Sequence, residues 1–217
     1  MKKNREYRIE GRALTKGKIL NIFLIGLVFF TLVGIVTRIG GSYNPVFEEG
    51  TFNVINPGNP ALVQLFNLIA VALSGYVTYS LTKMFIGVSK NEKPEFEPIL
   101  TAGVKEQPVN APLLSLIMGF FLSLWTLLFV IPGIVKSYSY AMSYYLLVNE
   151  KTLGPVDAIT KSRQLMDGKK MQLFMLDLGY LGWYLLSLFT LGILTIWVSA
   201  WHQSARTLFF KDAYNVK

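Results

Sequence analysis

Long apolar runs, parted by short basic stretches, are what most limits this chain of 217 residues. The clearest run covers residues 19–39, and its single charge, Arg38, stands at the far end. A helix of about 20 apolar residues crosses a hydrocarbon core of ~30 Å. Comparable runs follow at 61–88, 111–132, 134–149, 171–189 and 191–210. The expectation is an all-α polytopic transmembrane bundle of about six spans, arranged as three hairpins in one membrane domain over residues 1–217. Only 16% of residues are charged, against about 25% in soluble domains. Repeated spans would produce that deficit.

The charges that remain are mostly basic: 21 Lys and Arg against 13 Asp and Glu, a formal net charge of +8. In a soluble protein this excess would point to nucleic acid. Here it tracks the apolar runs, so no nucleic-acid partner is expected. Lys2, Lys3, Arg5, Arg8, Arg12, Lys16 and Lys18 precede the first run. Lys83 stands near the end of the second run with Lys90, Lys93 and Lys105 beyond it, and Lys151, Lys161, Arg163, Lys169 and Lys170 precede the fifth. Arg206, Lys211 and Lys217 end the chain, whereas residues 40–60 hold no Lys or Arg. The positive-inside rule then assigns both termini to the cytoplasm and 40–60 to the outer face. The basic-then-apolar start resembles a signal peptide. The run is too long for one and lacks an A-x-A-like site, so a retained span is expected. A turn at Pro132-Gly133 would put Lys136 outside and make 134–149 a short fourth span. One long kinked helix is the alternative.

Two basic segments read small-Arg-x-Leu-x-x-Gly-Lys. One contains Arg12, Leu14, Gly17 and Lys18, and the other Arg163, Leu165, Gly168 and Lys169. A weaker third copy contains Leu100 and Gly103. They suggest short cytoplasmic interfacial helices near 5–17, 95–104 and 155–168, each ahead of a hairpin. In the last, Pro155 suits a helix start and Gly168 a left-handed stop. Such segments read either as topology anchors or as a symmetric arrangement around a central pathway.

Ile131-Pro132-Gly133-Ile134, Tyr138-Ser139-Tyr140-Ala141-Met142, Ala158, Ser162-Arg163, Leu165-Met166-x-Gly168, Gly182-Trp183 and Leu191-Gly192 together resemble a bacterial membrane family, domain of unknown function 975. The resemblance implies a small polytopic protein of a bacterial plasma membrane. It transfers no activity and no catalytic residue. Gly179-Tyr180-Leu181 and Ala200-Trp201 depart from the family pattern, which has Ser-Phe-Ile-like and Pro-Tyr stretches there.

Ionisable groups inside apolar runs are costly and mark candidate sites. Asp177 is the foremost, with His202 and Arg206 one helical turn apart on a facing run. Asp177 is expected to pair with Arg206, or else with Lys83. Such a pair either locks helix register or belongs to a proton or cation relay to which His202 contributes. Tyr138, Tyr140, Tyr144 and Tyr145 either line a polar cavity or pack between helices. Cysteine is absent and His202 is the one histidine, so no metal site and no cofactor are expected. H-E-x-x-H, phosphate-loop and G-x-S-x-G motifs are missing, so no enzyme is expected. The leading expectation is a non-enzymatic accessory or interaction protein. Its partners would be anionic lipid headgroups and membrane proteins or peptides, with self-association open. A small transporter or channel coupled near Asp177 is the alternative.

Overall fold

The structure is a computed structural model. It describes residues 1–40, 44–48, 51–55 and 60–215, except for the side chains at 33, 36–40, 44–48, 51–55, 60, 62, 63 and 97. The chain is helical almost throughout. In order come α1 (Asn4–Thr15), α2 (Ile19–Gly40), a hairpin of β1 (Asn44–Glu48) and β2 (Thr51–Ile55), α3 (Pro60–Ser89) and α4 (Phe96–Glu106). Then follow α5 (Asn110–Leu128), α6 (Val130–Tyr140), α7 (Ser143–Asn149), α8 (Pro155–Leu165), α9 (Lys170–Phe189) and α10 (Thr195–Asn215).

Among the described residues, three helical stretches are long and apolar enough to cross a membrane: Gln64–Ser89, Asn110–Leu128 and Lys170–Phe189. A fourth is added if α1 and Ile19–Leu32, bent by 90°, count as one broken span. The described residues thus give three to four candidate spans. The run at 134–149 is divided at Ala141 and Met142, between the end of α6, which starts earlier at Val130, and the 7 residues of α7. The run expected at 191–210 begins only at Thr195, and its helix carries Arg206, Lys211 and Asp212 through to Asn215. Residues 40–60, expected as an outer loop, include the antiparallel pair β1–β2, with Asn44 opposite Ile55 and Glu48 opposite Thr51. The rest of that expected loop, the side chain of Arg38 and Lys217 lie outside the described residues.

The chain breaks at Phe129, three residues before the Pro-Gly pair that signals a turn. Phe129 is extended (φ −160°, ψ 142°), and α5 and α6 pack together beyond it. Pro132 sits in the first turn of α6, where its missing N–H leaves no helical bond unmade. Gly133 lets α6 close on Thr126, and Lys136 Nζ lies 4.5 Å from the centre of the Trp125 ring. Burial lowers the pKa of the Lys136 ammonium, and the charges of Arg163 and Lys170 add to that.

The break between α6 and α7 is held by α8. Ser162, fully buried, donates to the Ser139 carbonyl at 2.8 Å and accepts from the Met142 N–H at 3.2 Å. This satisfies backbone groups that an interrupted helix leaves open.

Helix α1, expected to lie in the interface, packs into the bundle along α10. Tyr7 meets Phe209 edge-on and donates to Asp212 at 2.8 Å. One turn later, Gly11 rests on the backbone of Ala205 and Trp201, where a Cβ would come within 2.9 Å. The two helices therefore run antiparallel in close contact. Two further buried clusters complete the core: Ile22, Ile25, Phe29, Met84, Phe85 and Val88 in one, and Tyr79, Ala111, Leu114, Tyr144 and Leu147 in the other.

Candidate functional site

Helices α9 and α10 join through 190–194, where Leu191 and Gly192 both take positive φ. They run antiparallel, which sets Asp177 opposite His202 and Arg206. Asp177 Oδ1 accepts from His202 Nε2 at 2.7 Å and from Arg206 Nε at 2.9 Å, and Oδ2 accepts from Arg206 Nη2 at 2.5 Å. The guanidinium thus grips the carboxylate with two parallel donors. The other imidazole nitrogen, Nδ1, lies 3.1 Å from the Tyr184 hydroxyl. A neutral ring with its proton on Nε2, accepting at Nδ1 from Tyr184, satisfies both contacts. Tyr180 stacks on the ring at 4.7 Å and ties its own hydroxyl to the Trp201 carbonyl. Asp177 and Arg206 are opposite in charge, and both carboxylate oxygens accept within the cluster.

Tyr180 and Tyr184 were not among the residues singled out from sequence. They stand three and seven positions beyond Asp177, one face of a helix, and that spacing is a usable signal.

Lys83 is not part of this cluster. It binds Glu106, whose carboxylate also accepts from Tyr79 at 3.0 Å and from Lys151 at 3.2 Å. The tie joins α3, the end of α4 and the segment after α7, and the short α3–α4 connection decides the partner. Burial pushes the Glu106 carboxyl up, but the hydrogen bonds from Lys83, Tyr79 and Lys151 outweigh it and hold the group below its ordinary 4.5. A lowered folded value contributes stability above 4.5 that is lost as pH falls past it. Glu106→Gln should cost about 1–2 kcal/mol at pH 7, with the gap to the wild type closing below pH 4.5. Denaturant unfolding in detergent across pH 7 to 3 measures this; a gap that stays constant would refute it.

The four tyrosines divide between two cores. Tyr138 meets Phe174 edge-on, and Tyr145 stacks on Phe210 at 5.1 Å with its hydroxyl near Thr207. Tyr140 and Tyr144 face the α3–α5 side, where Tyr144 reaches the Ala111 carbonyl at 3.4 Å. No described cavity is lined by any of them.

The basic segments differ in the same way. Gly17 and Gly168 both adopt left-handed φ, +77° and +69°, just after α1 and α8. Lys18 donates to Asn91 at 2.9 Å, and Lys169 caps α8 on the Leu165 carbonyl at 3.2 Å. Leu14 and Leu165 pack into buried clusters, and Arg163 is exposed. Arg12 lies between the rings of Trp183 and Trp201, 4.8 Å from each. Gly103 behaves differently: it sits inside α4, pressed on the Tyr76 backbone, with its N–H on Ser80 Oγ. Leu100 packs beside it. Among the described residues no three His, Asp or Glu side chains converge as a metal would require.

The family pattern described as protein of unknown function DUF975 matches residues 1–139 and 127–217, which together span the chain. The chain belongs to the DUF975 family. No curated protein and no solved structure matches it. The residues carrying the resemblance in this DUF975 chain have structural duties here. Ser162 plugs a helix break, Gly168 ends α8, and Trp183 faces Arg12.

Proposed function

We propose that this DUF975 chain is a non-enzymatic, multi-pass protein of the bacterial plasma membrane that acts on membrane partners, peptides or lipids. The observation that carries this reading is the closure of the Asp177 cluster. Both carboxylate oxygens are bonded to His202 and Arg206, and the described cavities are lined by other residues. A coupling site needs water or an ion at the carboxylate, and here protein donors already occupy it. Both termini belong on the cytoplasmic side. Contact of Lys2 and Tyr7 with Asp212 supports their lying together. The order of a short helix before a pair of helices, occurring three times, supports an internal repeat. So do the matched left-handed glycines 17 and 168. No cofactor is invoked. Partners are anionic headgroups, other membrane proteins or peptides, and a second copy of the chain.

The runner-up is a small transporter. The continuous link from Tyr184 through His202 to Asp177 favours it, since such a chain can pass protons. Reconstitution in vesicles separates the readings. Proton flux, read with an entrapped dye under an imposed pH gradient, should equal that of empty vesicles. Flux above that level, abolished by Asp177→Asn with folded yield intact, would refute the accessory role.

A further inference from the structure

Five cations meet a carboxylate: Lys2 with Glu10, Lys83 and Lys151 with Glu106, Lys161 with Glu150, and Arg206 with Asp177. Helix α1 gathers three that do not. Arg5, Arg8 and Arg12, at helical spacing with Ile9, line one cavity of about 250 Å³. None of the three arginines has a carboxylate partner among the described residues. The two acids on the same helix are engaged elsewhere, Glu10 on Lys2 and Glu6 on the Lys3 amide.

These arginines are also held in place. Arg8 donates to the Gly179 carbonyl at 3.2 Å, which leaves its other guanidinium donors available. Arg12 is fixed between Trp183 and Trp201, and its Nε is buried without an acceptor. A guanidinium held in position loses little freedom on binding, and its fork fits two oxygens of a phosphate. Beside them Ile9 is 57% exposed, an apolar surface set among three cations. Free phosphate has no use for such a side chain. The glycerol and first methylenes of a phospholipid do.

We propose that Arg5, Arg8 and Arg12 form a binding site for a phosphate oxyanion, supplied by the headgroup of an acidic phospholipid, with Ile9 under its glycerol. The site rests on the membrane reading above and makes the lipid partner specific. It locates headgroup recognition on α1, against the seam of α9 and α10.

The test uses the full chain in detergent micelles, titrated with dihexanoyl phosphatidylglycerol, dihexanoyl phosphatidylcholine or inorganic phosphate. The fluorescence of Trp183 and Trp201, which hold Arg12, reports binding. Phosphatidylglycerol should saturate the change at a concentration at least tenfold below phosphatidylcholine, and millimolar inorganic phosphate should compete. Arg5→Gln should weaken phosphatidylglycerol binding at least fivefold, and Arg5→Lys should fall between. Arg5 is exposed and makes no described polar contact, so circular dichroism should be unchanged in both variants. Equal response to the two lipids, or an Arg5→Gln variant that binds as the wild type does, would overturn the site. Inorganic phosphate saturating at a lower concentration than the lipid would overturn the lipid assignment. Flotation separates this failure from failure of the membrane reading. A chain that floats with neutral phosphatidylcholine vesicles but does not discriminate headgroups refutes only the site.

Discussion

Asp177→Leu is expected to destabilise the folded chain by about 3 kcal/mol. The substitution leaves Arg206 charged and facing a leucine, with His202 and Arg206 both deprived of their acceptor. Breaking a buried pair from one side costs about 3–5 kcal/mol because the surviving charge has no counterion. The lower end applies here: the Asp177 side chain is 13% exposed, and Arg206, at 27%, keeps some contact with its surroundings. Removing both charges is a different experiment. Asp177→Leu with Arg206→Leu replaces the pair by apolar groups and should recover most of the loss. His202 then keeps Tyr184 and the Tyr180 ring. Unfolding in mixed micelles, followed by circular dichroism, measures all three proteins. A double variant no more stable than Asp177→Leu would show that Asp177 does something besides neutralise Arg206. The lock reading of the cluster would then fail.

That pairing could be anticipated because its geometry is local to one hairpin. His202 and Arg206 are four residues apart, so they share a face, and a short connection after Phe189 returns that face to Asp177. The alternative partner, Lys83, was ambiguous from sequence because helix depth alone cannot separate Asp177 from Glu106. The structure resolves it through the close α3–α4 contact. Long apolar helices were legible for an equally simple reason, since a run free of charge has few other stable fates. What composition hid was where such runs stop being spans. Pro132 suggested a turn, yet proline is harmless in a first turn, and the chain bends at Phe129, a residue with no turn propensity. The sequence around Ala141 and Met142 has no breaker, and the interruption is held from outside by Ser162. Helix α1 was legible as a basic interfacial helix, but its burial against α10 was not. Gly11, which permits that contact, looks like any other small residue.

Gly75→Ala and Gly119→Ala should shift stability in opposite directions, although each replaces a helical glycine within an apolar run. In a helix interior alanine is favoured over glycine by about 0.5–1 kcal/mol. Gly119 has nothing within 4 Å of the position a Cβ would take, so its substitution should be neutral or stabilising by up to that amount. At Gly75 the same methyl group would stand 2.4 Å from the Ala111 carbonyl oxygen and 2.8 Å from Pro112 Cα. These are backbone atoms of α5 and cannot rotate away. The helices must part, which strains the Ser115 hydroxyl bond to the Val71 carbonyl and the Tyr76 hydroxyl bond to the Pro108 carbonyl. Overpacking of this kind costs about 1–3 kcal/mol, and Gly75→Val should reach the upper end. On the other side of α3, Gly103 of α4 already presses on Tyr76, so α3 has no room to retreat. Unfolding of the three variants in one detergent gives the comparison. If Gly75→Ala is as stable as Gly119→Ala, α3 and α5 do not meet backbone to backbone. The packing that sets the α3–α4–α5 side of the molecule would then be wrong.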